Sequence, residues 1–130
     1  MRVTLLTPYL PHDAIGHGGG VAVRGMARAL ARRHELTVVA LERPGESGLA
    51  APTAASLGCR VVTVPFLAAG AASPAARLRL AANRLGAAVR SLQHGYPYYV
   101  EKYHTAALSA AVVEAVAASA PEAVQCEYLQ

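Results

Sequence analysis

The sequence predicts an α/β fold: a Rossmann-like parallel sheet with local strand order 3-2-1-4, flanked by helices in a three-layer α/β/α arrangement. Short, nearly continuous apolar runs rich in β-branched residues are typical of strands buried on both faces of a parallel sheet. Apolar residues at helical spacing lie between these runs. The chain has 130 residues, of which 54% are hydrophobic and 15% charged, which is enough for one domain.

The first half of the chain predicts a strand–helix–strand unit. The first strand covers residues 2–7 (RVTLLT) and is followed by Pro8, Pro11 and a loop rich in glycine and histidine. A helix is predicted from Val21, with four apolar residues on one face: Val23, Met26, Ala27 and Leu30. A second buried strand covers residues 36–41, which gives a unit of about 40 residues, the size of a βαβ unit. Parallel strands with right-handed crossovers are therefore expected.

The middle of the chain predicts a third strand and a long helix. Residues 42–57 contain several prolines and glycines, which favours an irregular connection with a short helix around Ala54. The third strand covers residues 60–65. Ser73 and Pro74 have the residue types of an N-cap and a first helical position. In the helix that follows, apolar residues recur at helical spacing: Leu78, Leu85, Val89 and Leu92.

The last part of the chain predicts one further helix and a fourth strand. Gly95-Tyr96-Pro97 ends the preceding helix, because proline forces Tyr96 into an extended conformation. A single helix is then expected to run to about Ser119. Its buried residues are expected to be Leu108, Val112, Ala115 and Val116. The fourth strand covers residues 123–127.

Composition and charge exclude several classes of protein. No apolar run reaches the roughly 18 residues of a membrane span, and the N-terminus lacks the pattern of a secretion signal, so we expect a cytoplasmic protein. Cys59 and Cys126 both fall in strands expected to be buried, without C-x-x-C spacing, so no metal or redox role is expected. The net charge of +4 is spread over several helices without a basic run. Nucleic acid is therefore not an expected partner.

The predicted topology places a ligand site at one edge of the sheet. Ligands of open parallel sheets bind outside the carboxyl ends of the strands, where strand order reverses. Here this point lies between the first and fourth strands, where residues 8–20 and 127–130 meet. Gly18, Gly19 and Gly20 stand directly before the predicted helix, whose start favours an anion such as a phosphate or diphosphate. A flexible loop that only needs turns is an equally weighted interpretation.

Other residues of these two segments are candidates for substrate contacts. Glu127 has the chemistry to accept hydrogen bonds from sugar hydroxyls or to act in acid–base catalysis, and Tyr128 would face the same crevice. Tyr9 and Pro11 would line it, and His12 and His17 are further candidates. No metal site is expected, because the histidines lack partners at metal-binding spacing. Four tyrosines form a separate group that would stack on sugars, face a membrane or cover the sheet edge: Tyr96, Tyr98, Tyr99 and Tyr103.

Known phosphate-binding motifs fit these glycines poorly. A P-loop requires a lysine after the glycines, and none is present. A dinucleotide-binding fingerprint requires a third glycine where Val23 stands, and the first strand ends about ten residues too early for its tight turn. Glu42, at the end of the second strand, does match the position of a ribose-binding acid. An NAD(P)-binding domain of an oxidoreductase therefore remains an alternative. A phospho-acceptor module is disfavoured because Asp13 is the only aspartate.

Several stretches together resemble the start of a GT-B glycosyltransferase, most closely the retaining family 4 group. They are RVTLLTPYLP, the HGGG loop, VAVRGMARALARRHELTVVAL and PEAVQCEYLQ. The resemblance implies two Rossmann-like domains facing a cleft, with a nucleotide-sugar donor as substrate rather than a bound cofactor. It also implies that Gly18, Gly19 and Gly20 approach the donor diphosphate, while the first domain receives an acceptor of unknown identity. Many members have a histidine near the position of Glu127, so no catalytic residue is carried over.

On this resemblance, residues 1–130 are the N-terminal, acceptor-side domain of such an enzyme, cut after the fourth strand. The donor-binding C-terminal domain would be absent, and we expect this piece alone to be inactive. Ending at the fourth strand would expose an apolar sheet edge, which favours self-association through that edge.

Overall fold

A computed structural model describes residues 1–66 and 73–127 of the chain. It contains four strands and five helices within these ranges. In chain order they are β1 (Arg2–Thr7), α1 (Gly18–Ala31), β2 (Glu35–Glu42), α2 (Ala50–Leu57), β3 (Arg60–Pro65), α3 (Pro74–His94), α4 (Tyr98–Tyr103), α5 (Ala106–Ser119) and β4 (Ala123–Cys126).

The four strands form one sheet of order β3-β2-β1-β4, and all three pairings are parallel. The predicted fold class and strand order are therefore confirmed. Leu5 of β1 lies opposite Val38 of β2 on one side and Gln125 of β4 on the other. Strand β1 is thus hydrogen-bonded along both edges, and four of its six side chains are buried by the layers on the two faces of the sheet.

Apolar residues cover both faces of the sheet and form two separate cores. Successive side chains of β2 point to opposite faces, as in any strand. Val38 and Ala40 join the core beneath α1 and α2, while Val39 and Leu41 join the core beneath α5. Because both faces of the sheet are covered, β2 is apolar from Val38 to Leu41 without alternating. The helices on the two faces complete the three layers.

Two helix boundaries differ from those predicted. Helix α1 begins at Gly18 rather than Val21, so the three glycines form its first turn. The single helix predicted after Pro97 is two helices, α4 and α5. The break falls before α5 because the Thr105 hydroxyl accepts a hydrogen bond from the Leu108 N–H at 3.1 Å and caps the new helix.

Neither cysteine lies in a buried strand, contrary to prediction. Cys59 precedes β3 and is half-buried, and burial raises the pKa of its thiol. Cys126 is exposed, because β4 is an edge strand whose side chains alternate between half-buried and exposed positions. Val124 on this edge is also exposed. Self-association through the edge stays a prediction.

Helix α3 lies outside the layers that flank the sheet. It packs extensively against α4 alone among the described elements. The apolar residues that indicated this helix do not reach a core: Leu78, Leu85, Val89 and Leu92 are all exposed. Ser73 caps the helix as predicted, by accepting a hydrogen bond from the Ala76 N–H at 3.2 Å.

A buried carboxylate joins α3 to α4. The Glu101 side chain is only 1% exposed. Its Oε2 accepts a hydrogen bond from Arg90 Nε at 3.0 Å, and its Oε1 lies 2.9 Å from His94 Nδ1. The hydrogen bond with His94, followed by that with Arg90, lowers the pKa of Glu101 although burial alone would raise it. The charged form of Glu101 therefore stabilises the α3–α4 pair.

We expect Glu101→Gln to destabilise the chain at pH 7, and we expect the difference from the unmodified chain to shrink in acid. Because folding lowers the pKa of Glu101, its contribution is complete above the ordinary value of 4.5 and is lost as the pH falls through the folded value. Urea unfolding followed by circular dichroism between pH 7 and pH 3 measures this. Glu114→Gln, at an exposed position of α5, is the matched control. An equal loss of stability at both ends of the pH range would contradict the expectation.

Candidate functional site

The carboxyl ends of β1 and β4 lie side by side at the C-terminal end of the sheet, at the point where strand order reverses. We call this end of the sheet the C-terminal rim. The Glu127 N–H donates to the Leu6 carbonyl at 2.9 Å, so the residue after β4 runs beside the end of β1. Gln125 Nε2 contacts both Glu127 Oε1, at 2.7 Å, and Met26 Sδ of α1, at 3.0 Å. One side chain therefore links Glu127 to the helix that the glycines begin.

The segment between β1 and α1, residues 8–17, is anchored to the domain. Leu10 and Ile15 are buried. The Asp13 carboxylate accepts hydrogen bonds from Arg28 of α1 at 2.6 Å and from Ser56 of α2 at 2.9 Å. The Asp13 carbonyl also accepts one from Arg24 at 2.6 Å. These contacts attach the segment to both α1 and α2.

His17 is the N-cap of α1. Its backbone is extended, with φ −106° and ψ 148°, and its Nδ1 accepts a hydrogen bond from the Gly20 N–H at 3.1 Å. Its carbonyl accepts the first helical bond, from the Val21 N–H at 3.0 Å. The ring packs edge-on against Tyr9 with 4.7 Å between centroids. His17, predicted as a substrate contact, therefore has a structural role in starting the helix.

The three glycines differ in how much space a side chain would have, and none of them has a positive φ. A Cβ on Gly20 would overlap the Ile15 side chain, so this position requires glycine for packing. A Cβ on Gly19 would lie 3.2 Å from Tyr9 Cε2, closer than ordinary contact. A Cβ on Gly18 would have no neighbour within 4 Å. Gly18 is thus the glycine that the surrounding protein does not explain.

The first turn of α1 leaves two donors available. The Gly20 and Val21 N–H groups are satisfied by His17, whereas no acceptor for the Gly18 and Gly19 N–H groups is found in the described part of the chain. No acidic residue lies in this first turn. Free N–H groups and the positive end of the helix dipole make such a start suited to an anion.

Arg43 adds a positive charge to the same rim. It is the first residue after β2, and its guanidinium carbon lies 4.6 Å from the centroid of the Tyr9 ring. Tyr9 in turn contacts His17 and faces Gly19. Arg43 was missed by the sequence analysis, although the rule that selected the segments after β1 and β4 also selects the residue after β2.

The remaining candidates are distributed between the interior and the rim. Pro11 is fully buried and packs rather than lining an open crevice. His12 Nε2 lies 3.6 Å from Glu46 Oε1, and its buried Nδ1 has no partner among the described residues. Glu127 is half-buried at the rim. Tyr128 lies outside the described residues.

Glu42 and the tyrosine group, both singled out from the sequence, make contacts within the protein. Glu42 Oε2 accepts a hydrogen bond from the Thr63 hydroxyl at 2.9 Å. Of the four tyrosines grouped by the sequence, only Tyr103 is buried, with its ring 5.3 Å from that of Phe66. This burial raises the pKa of Tyr103. Tyr96, Tyr98 and Tyr99 are exposed.

Two general properties of the described residues and a comparison with known proteins complete the description of the site. No three histidine, cysteine, aspartate or glutamate side chains in residues 1–66 and 73–127 are placed to hold a metal ion. None of the helices in these ranges has both the length and the apolar character needed to cross a membrane. No family model, curated protein or solved structure matches this chain.

We expect Gly20→Ala to destabilise the chain by about 1–3 kcal/mol, because the new methyl group displaces Ile15 from its buried position. Gly25→Ala, in the exposed middle of α1, is expected to stabilise by about 0.5–1 kcal/mol, because alanine restricts the unfolded chain and favours helix. Gly18→Ala should fall between them. Urea denaturation measures all three. If Gly20→Ala proved as stable as Gly25→Ala, the packing role of Gly20 would be wrong.

We expect His17→Ala to cost about 0.5–2 kcal/mol in unfolding free energy, because the Gly20 N–H loses its cap. His17→Asn should retain most of the stability, since asparagine also accepts a hydrogen bond at an N-cap. Denaturation midpoints of the two variants provide the comparison. Equal midpoints would show that the cap contributes nothing measurable.

Proposed function

We propose that this chain forms the acceptor-side Rossmann-like unit of a nucleotide-sugar-dependent glycosyltransferase, similar to the retaining family 4 group of GT-B enzymes. The observation that carries the proposal is the first turn of α1. It lies at the sheet edge where α/β proteins bind ligands. It offers the N–H groups of Gly18 and Gly19, and Gly18 has no packing reason to lack a side chain.

The electrostatics of this turn suit the diphosphate of a sugar donor. When the glycosidic bond to the donor phosphate breaks, the acceptor hydroxyl gives up its proton and its oxygen bonds to the anomeric carbon, while negative charge develops on the leaving diphosphate. Oriented N–H groups stabilise such charge without rearranging during the reaction. Arg43, held against Tyr9 at 4.6 Å, adds a cation to the same rim.

The acceptor would lie between Tyr9 and Glu127. A half-buried carboxylate at the rim is able to accept a hydrogen bond from a sugar hydroxyl. Glu127 is oriented by Gln125, whose amide donates to it at 2.7 Å. Tyr9 contacts Arg43 and His17 at the same rim and lies beside Gly19. The unit supplies one wall of the site, and the nucleotide would be held mainly by a second domain.

A dinucleotide-binding domain of an oxidoreductase is the second candidate. Glu42 favours it, because it stands at the end of β2 where a ribose-binding acid is expected. The separation between β1, which ends at Thr7, and α1, which begins at Gly18, disfavours it. A dinucleotide fingerprint requires a tight turn at this point. One oxygen of Glu42 is also engaged by Thr63.

We expect millimolar UDP or GDP to shift the amide resonances of Gly18 and Gly19 in nitrogen-15 NMR spectra of the 130-residue chain. Gly18→Ala should weaken this binding at least about fivefold, equivalent to roughly 1 kcal/mol, because a methyl group obstructs approach of the phosphates. Gly25→Ala, on the same helix but far from the rim, should bind like the unmodified chain.

NAD⁺ in the same titration separates the two candidates. Shifts produced by NAD⁺ at Glu42 and the glycines, without shifts from UDP or GDP, would favour the oxidoreductase. No response to any diphosphate would show that the proposed donor site is wrong.

A further inference from the structure

The outer face of α3 is apolar and exposed. Leu78, Leu85 and Leu92 expose 73%, 68% and 87% of their surface, and Val89 is exposed between them. At about 100° per residue these four side chains share one face of the helix. Ala87, the one buried residue that α3 contributes, falls on the opposite face. Leu80, two residues after Leu78, falls on the same side as Ala87 and is half-buried. Leu78, Leu85, Val89 and Leu92 thus form a separate, solvent-exposed face.

The described part of the chain offers nothing to cover this face. Helix α3 packs extensively against α4 only, on the side away from the leucines. Isolated exposed leucines are ordinary, but a contiguous apolar stripe along a helix marks an interaction surface. From Leu78 to Leu92 the stripe extends about 21 Å.

The charges beside the stripe are all positive. Helix α3 contains four arginines and no acidic residue: Arg77, Arg79, Arg84 and Arg90. Arg79 flanks the stripe on one side and Arg77 and Arg84 on the other, each roughly 100–120° from Leu78 around the helix. Long basic side chains on both margins of an apolar stripe are typical of helices that lie in the surface of anionic membranes.

Exposed tyrosines follow the end of α3 in the chain. Tyr96, Tyr98 and Tyr99 are exposed in the adjoining turn and in α4. Lys102 Nζ lies 5.6 Å from the centroid of the Tyr99 ring. Tyrosine, with an apolar ring and a polar hydroxyl, is favoured at the boundary between lipid and water.

We propose that α3 is an interfacial helix that docks this chain on an anionic phospholipid surface. The apolar stripe would enter the level of the headgroups, while Arg79 and Arg84 bind lipid phosphates. A second copy of the chain is less suited to cover this face. Helices α3 and α4 together carry one carboxylate, Glu101, which is buried and already paired. Pairing two such faces would bring Arg79 and Arg84 of both copies together, with no further carboxylate on α3 or α4 to offset their charge. The proposal does not rest on the proposed glycosyltransferase function.

Vesicle co-sedimentation of the whole chain tests the proposal. We expect binding to vesicles of phosphatidylcholine with phosphatidylglycerol, weaker binding to phosphatidylcholine alone, and a decrease with added salt. Arg79→Gln and Arg84→Gln should each weaken binding about fivefold, the effect of one basic residue at an anionic surface. Leu85→Glu should weaken it at least about tenfold. Val113→Glu, at an equally exposed apolar position of α5, should leave binding unchanged.

Tryptophan fluorescence provides an independent measurement, because the chain contains no tryptophan. The emission of Leu92→Trp should shift to shorter wavelength when anionic vesicles are added, and that of Val113→Trp should not. The replaced side chains are exposed, so the variants should keep the circular dichroism spectrum of the unmodified chain.

Three results would overturn the proposal. The first is no binding to anionic vesicles at low salt, and the second is equal binding by the unmodified chain and Leu85→Glu. The third is a concentration-dependent dimer in light scattering that Leu85→Glu dissociates, which would assign the stripe to contact between copies.

Discussion

Strand β1 lies between β2 and β4, with a packed core on each face of the sheet, and this interior position limits where the chain is able to carry exposed polar groups. Both faces of β1 are covered, so even Thr4 and Thr7 are buried. Thr7 meets this constraint by accepting a hydrogen bond from the Tyr9 N–H at 3.3 Å. Polar side chains with access to a ligand therefore collect beyond the ends of the strands, at the C-terminal rim.

The rim combines parts that are distant in sequence. Asp13 holds residues 8–17 against α1 and α2 through Arg28 and Ser56. This anchoring fixes the position of Tyr9 and hence of the face on which Arg43 stacks. The first turn of α1 is accordingly held in position by the protein itself, which is the condition under which N–H groups stabilise charge well.

The strands and their order were predictable because buried parallel strands are continuous apolar runs. The start of α1 was not, since glycine has low helix propensity and histidine is an uncommon N-cap. Contacts made by Ile15 and Asp13 outweigh these local preferences. The roles of Gly18 and Gly20 also look identical in sequence, and only the packing around Gly20 separates them. The apolar spacing of α3 predicted a helix but not that Leu78, Leu85 and Leu92 are exposed to solvent.

The cap on α1 has a further consequence for the chemistry of His17. A backbone N–H is always a donor, so Nδ1 of this imidazole must be the unprotonated ring nitrogen. The neutral ring therefore exists as the Nε2–H tautomer. Placing a proton or an alkyl group on Nδ1 would set two donors against each other and release the first turn of the helix. The Nδ1 lone pair of His17, a residue that the sequence suggested as a contact to substrate, is used to cap helix α1.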